Sequence, residues 1–190
     1  MKLFKKLMAV ALAGALALTV LTGCGSVVNE KELFNIMQDL AASNSETGSE
    51  VTVEPGDGSL ARKAFYRLSD FAKDHTYEME KERDDFFDRV IDGAHERNGD
   101  AYDYAGLRSI IPEGSKDAYL VSCAEVAEVK NGLLNDMRNM MLAEKLMQDC
   151  TQINPNVSDR LNFDKATVHL YSGKIGEKGY VVCVVVYAAE

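Results

Sequence analysis

The stretch Tyr180-Val181-Val182-Cys183-Val184-Val185-Val186-Tyr187 has no polar position in eight residues. A strand with one wet face alternates apolar and polar side chains, so a run with no polar position implies a strand covered on both faces. It is too short to cross a bilayer as a helix, which takes about 20 apolar residues. Just upstream the pattern does alternate: Ala166, Val168 and Leu170 fall on one face, and Thr167, His169 and Tyr171 on the other, as in a half-buried strand. Ser172 to Gly179, with its three glycines and three charged residues, reads as the loop of a hairpin joining the two.

A strand buried on both faces needs layers above and below it, and the residues further upstream supply helices. Asn29 is a candidate N-cap with Glu32 three positions on. Leu33, Phe34, Ile36, Met37, Leu40 and Ala41 follow at helical spacing, giving a helix over about 30–42. Residues 43–59 are polar and turn-rich, apart from a short extended piece at Val51-Thr52-Val53. A second stripe comprises Leu60, Ala61, Ala64, Phe65, Leu68, Phe71 and Ala72. A third comprises Phe86, Phe87, Val90, Ile91 and Ala94, and Gly93 or Asn98-Gly99 could end its helix. The charged run Glu78 to Asp85 between them reads as a solvated face. Residues 100–115 form an irregular connection. Tyr119-Leu120-Val121 and Val126 to Val129 fit strand or helix equally. Leu133, Met137, Met140, Met141, Met147 and Cys150 mark a long helix over about 132–151, stopped before Asn154-Pro155, with its methionines expected in the core. The expected fold class is α+β: a three-layer α/β/α sandwich with a C-terminal antiparallel hairpin in its central sheet.

The N-terminus carries an address. Lys2, Lys5 and Lys6 precede an uncharged stretch from Leu7 to Leu21 that is too short for a membrane span and reads as a signal peptide. It ends in Leu21-Thr22-Gly23-Cys24, which resembles the lipobox of bacterial lipoproteins. The resemblance implies that Cys24 receives a diacylglyceryl group and becomes the new N-terminus. The expected organisation is a signal peptide over 1–23, a tether over 24–29 and one domain over 30–190. The protein would then be lipid-anchored on the outer face of the cytoplasmic membrane, or in the outer membrane.

The chain has 190 residues, with 21 basic and 30 acidic. Three of the lysines and none of the acids lie in the first 23 residues, so the remainder carries a net charge of −12. Such a surface argues against nucleic acid as a partner. Beyond Cys24 the cysteines are Cys123, Cys150 and Cys183, an odd number that permits at most one internal disulfide. Buried free thiols are the competing reading, and the spacing does not choose a pair.

The order of elements resembles the bacterial CAP domains, relatives of the cysteine-rich secretory proteins, venom antigens and plant pathogenesis-related proteins. The likeness rests on Phe87-Asp88-Arg89 with Gly93, on Tyr104-Ala105-Gly106, and on Asn154-Pro155 followed by Leu161-Asn162. It implies a central cleft, which in that family is typically lined by two histidines and two glutamates. Here His75 looks like the first histidine, while Leu107 and Val157 occupy the places of a glutamate and the second histidine. One imidazole cannot build a zinc site. Unless His95, Glu96 or Glu113 substitutes, no metal and no cofactor is expected.

His75 also fits a helix-end histidine favoured by the helix dipole. Tyr102, Tyr104 and nearby Arg108 suit a cleft for a peptide or glycan, or ordinary loop packing. None of the short motifs with known catalytic mechanics is present: no G-x-S-x-G, H-E-x-x-H, P-loop or EF-hand pattern. The function expected is therefore a non-catalytic binding module for a cell-wall component, a peptide or a protein. The alternative is a metal-independent hydrolase with His75 as general base.

Overall fold

The structure is a computed structural model that describes residues 27–44, 51–82, 85–95, 102–128 and 132–190, with backbone alone at 44 and 133. The signal segment, Cys24, Glu96, Asn98-Gly99 and Val129 lie outside the described residues. Among those described, the chain is mixed α/β, with five α-helices and a five-stranded mixed sheet.

The helices are α1 (Glu30–Asn44), α2 (Ser59–Asp74), α3 (Thr76–Glu82), α4 (Asp85–Ala94) and α5 (Gly132–Gln148). The strands are β1 (Thr52–Pro55), β2 (Ala118–Val126), β3 (Thr151–Gln152), β4 (Leu161–Ile175) and β5 (Lys178–Ala189). The sheet order is β1-β4-β5-β2-β3, parallel between β1 and β4 and antiparallel elsewhere. The apolar run therefore sits on the middle strand. Its alternate residues enter two separate cores. Tyr180, Val182 and Val184 pack with Phe65 and Leu68 of α2 and with Phe86, Phe87 and Val90 of α4. Val181, Cys183 and Val185 pack with Leu33 and Met37 of α1 and with Leu142 and Leu146 of α5. Val181, Val182 and Val184 are fully buried, each contributing about 1.5–3 kcal/mol by leaving water.

The first three helical stripes are buried as their spacing predicts. Asn29 Oδ1 accepts the Glu32 N–H at 3.3 Å, capping α1, and β1 forms at the expected extended piece. The ambiguous segment after residue 117 is strand β2, with both of its faces covered.

Several expectations need correcting. The hairpin loop is two residues rather than eight. Ile175 pairs with Lys178, and Gly176 turns the chain at φ 62°, a conformation glycine adopts without a Cβ penalty. The charged run is largely exposed where it is described, as expected of a solvated face, on the short helix α3 and at the start of α4. Gly93 lies inside α4 instead of ending it. His169, on the presumed wet face of β4, is buried against Gly56. Its Nδ1 lies 3.2 Å from Asp57 Oδ1 but has no hydrogen-bond partner among the described residues. Burial, the larger influence, holds its pKa below the usual histidine range despite the nearby carboxylate. Val27 and Val28, read as tether, are docked: the Val27 N–H donates to Ser172 Oγ and Val28 is buried. Cys123, Cys150 and Cys183 are all free thiols, and burial pushes the pKa of each upward.

The largest correction concerns α5. Met137, Met140 and Met141, expected in the core, are 59%, 48% and 64% exposed, and Leu134 is 46% exposed. The inward face is the opposite one: Asn139, Leu142, Ala143 and Leu146. Hydrogen bonds and small side chains set that rotation. Asn139 Nδ2 donates to Glu32 Oε1 on α1, and the buried Ser122 hydroxyl of β2 donates to the Leu146 carbonyl. Ala143 and Ala124 belong to the same core, and small residues at such a contact let a helix lie close to the sheet.

Candidate binding cleft

The C-terminal end of α2 and the exposed side of α4 form the walls of a concave site of about 700 Å³. Phe71 and Phe86 form an apolar wall, and His75, Glu78, Arg89, Asp92 and His95 contribute polar groups around it. Tyr102 and Tyr104 also line the site, their rings stacked at 5.7 Å and both more than half exposed. This combination of apolar wall and few polar groups is usual for small-ligand pockets.

Each side chain is positioned by local structure. His75 terminates α2, and its ring stacks on Phe71 at 4.0 Å. Its Nδ1 is 2.9 Å from the Phe71 carbonyl, which can only accept, so Nδ1 carries a proton and, in the neutral ring, Nε2 holds the lone pair. His95 follows α4, and its Nδ1 donates to the Gln152 carbonyl at 2.7 Å, with the same result. Two imidazoles in one cleft are thus held in the tautomer that leaves Nε2 basic. Arg89 pairs with Glu82 at 2.5 Å, and Asp92 accepts from Thr151 Oγ1 at 2.6 Å.

The tyrosines are placed by a glycine. The Tyr102 N–H donates to the Gly93 carbonyl at 2.9 Å, and a Cβ on Gly93 would lie 2.9 Å from the Tyr102 carbonyl oxygen. Only a residue without a side chain lets that segment lie against α4. Asp103 then fixes the turn that follows: its carboxylate accepts the N–H groups of Leu107 at 2.6 Å and of Arg108 at 2.9 Å.

The structure therefore brings His75, Tyr102 and Tyr104 to one site and leaves Arg108 outside it. Arg108 Nε donates to the Ala94 carbonyl at 2.9 Å, tying the turn to the C-terminus of α4, where a cation also complements the helix dipole. Leu107 is fully buried in the core. Val157 lines a separate depression of about 270 Å³ with His95 and Pro155, and Glu113 is exposed. Among the described residues, no three His, Cys, Asp or Glu side chains gather to hold a metal ion. Among the described residues, no carboxylate hydrogen-bonds either imidazole of the cleft.

Sequence reasoning gave His95 no place beyond a possible substitute ligand, and it missed Asp103 altogether. The His95–Gln152 contact joins residues 57 apart, which no periodicity reveals. Asp103, four residues before Leu107, could have been found as a side chain that caps a local turn.

Compared with family models, with curated proteins and with solved structures, the chain gives no match.

Proposed function

We propose that this protein is a lipid-anchored extracytoplasmic binding module with a degenerate CAP-like domain, and that its cleft takes a cell-wall component, a peptide or a segment of protein. The lipobox-like Leu21-Thr22-Gly23-Cys24 supports the anchor and the location. The observation that carries the binding role is the stacked, exposed pair Tyr102 and Tyr104 at the edge of a cleft walled by Phe71 and Phe86. Aromatic faces of this kind suit sugar rings and peptide side chains. The test is thermal shift of the exported protein against soluble muropeptides and short peptides. A ligand that binds only the native state raises the melting temperature, and Tyr102→Ala with Tyr104→Ala is expected to abolish that rise. A shift that survives the double substitution counts against this cleft.

The second reading is a metal-independent hydrolase with His75 as general base. The observation favouring it is the Nδ1–H bond to the Phe71 carbonyl, which leaves Nε2 facing the task a base performs. An orienting carboxylate, usual beside such a base, is missing from the hydrogen bonds of His75 among the described residues. Turnover of muropeptides or peptides that is lost in His75→Ala would favour this reading over simple binding.

A further inference from the structure

Among the described residues, nothing covers the outward face of α5. Leu134, Met137 and Met141 recur at i, i+3 and i+7, and with Glu125, Ala127 and the stem of Arg138 they line an open groove of about 390 Å³. With Met140 beside them, Leu134, Met137 and Met141 make four large apolar side chains on one helix face, each about half exposed or more, a surface of the kind that marks a docking site.

The course of the chain indicates what covers it. Val27 lies against Gly179: a Cβ there would meet the Val27 side chain at 3.0 Å. Gly179 is paired with Val126, the neighbour of Glu125 in the groove wall. Val28 shares a core with Val126 and Leu142, and Leu142 also lines the groove. The N-terminal segment therefore joins the fold at the end of the sheet that carries the exposed methionines. Three peptide links separate Val27 from Cys24, and they span at most about 11 Å.

We propose that the Leu134–Met137–Met141 face of α5 rests on the lipid surface to which Cys24 is anchored. This deepens the anchoring proposed above and rests on it. An acylated Cys24 holds Val27 within about 11 Å of the lipid surface, on the side of the fold that carries the groove, so contact is effectively intramolecular and a small apolar face suffices. Methionine side chains are flexible and adapt to an irregular acyl boundary. Arg138 lines the groove while its guanidinium donates to Asn139 Oδ1 from Nε and Nη2, at 3.2 and 2.9 Å, so it adds its apolar stem to the contact. Glu125, the acid in the groove wall, is held by Lys178 at 2.6 Å. The net charge of −12 after residue 23 opposes an anionic surface, so the contact is stronger on zwitterionic lipid.

The chain contains no tryptophan, which makes a single introduced one a clean reporter. Met137→Trp places it on the proposed contact. Phe163→Trp places it on another exposed site, 61% exposed, near the opposite end of β4 from the Gly176 turn. Each full chain is extracted from membranes, checked by mass for acylation at Cys24, and reconstituted in phosphatidylcholine vesicles containing brominated lipid. The expected result is bromine quenching at least three-fold greater for Met137→Trp than for Phe163→Trp. That excess should fall when half the lipid is phosphatidylglycerol at low salt. Acylated protein whose two reporters are quenched alike overturns the docking and leaves the anchor standing. Unacylated protein overturns both. Emission of Met137→Trp that ignores bromine but changes with protein concentration assigns the face to a second copy instead.

Discussion

The two faces of the sheet are built by different rules. The face under α2 and α4 is a conventional core of large side chains: Phe65, Leu68, Phe86, Phe87 and Ile91 with Tyr180. The face under α1 and α5 mixes aliphatic residues with buried polar ones. Ser172 N–H and Oγ both donate to Glu30 Oε1, at 2.7 and 2.8 Å, and Asn139 donates to Glu32. One face is held by volume and the other partly by hydrogen bonds that satisfy each other. An apolar stripe locates the first kind of contact, and no stripe locates the second, because the residues that matter there are polar in composition and apolar only in position.

The sharpest separation should come from core truncation. Phe86→Ala removes a ring that is almost wholly buried between Phe71 and Phe87 and should cost about 3–5 kcal/mol in urea unfolding. Met141→Ala, which removes three apolar heavy atoms against the six of the Phe86 ring, should stay within about 0.5 kcal/mol because its site is exposed. Equal costs would mean that α5 is rotated so that Met141 faces the core.

Next in size is the polar contact itself. Glu30→Ala strands the buried Ser172 N–H and should cost about 1–3 kcal/mol by the same measurement. Burial holds the Glu30 pKa above the usual carboxylate value, the two bonds from Ser172 opposing it in part. Its native state therefore favours the proton, and this residue's contribution to stability weakens as pH rises through that range. A cost for Glu30→Ala below a few tenths of a kcal/mol would leave this face held by volume alone, as the other is.

The smallest effect is the pH response of His169. Burial disfavours its imidazolium, so the unfolded chain binds the proton more readily. Stability should then fall as pH drops through about 6.5 and recover above it. A melting series from pH 8 to 5 is expected to flatten in His169→Gln. An unchanged slope would assign the acid sensitivity to the carboxylates, among which Asp57 is held low chiefly by its bond to Ser59.

The cleft shows the same division. His75, Tyr102 and Tyr104 could be singled out because their residue types and local motifs suggest binding. Arg108 was grouped with them by sequence proximity, yet its guanidinium is committed to the end of α4. The role of Gly93 followed from neither composition nor periodicity. It became visible only when the Tyr102 carbonyl was found against it.

By itself, the amino-acid sequence determined that Tyr180–Tyr187 would be a strand covered on both faces. It also located the helices, because side-chain periodicity is a local property and burial of a repeated apolar face is strongly favourable. Which face of α5 turned inward, which histidine joined His75 and how far the hairpin extended were decided only by tertiary structure. Those outcomes depend on single contacts between distant residues, such as Asn139 with Glu32 and His95 with Gln152. Each is a fit between two particular surfaces, and neither segment carries that fit alone.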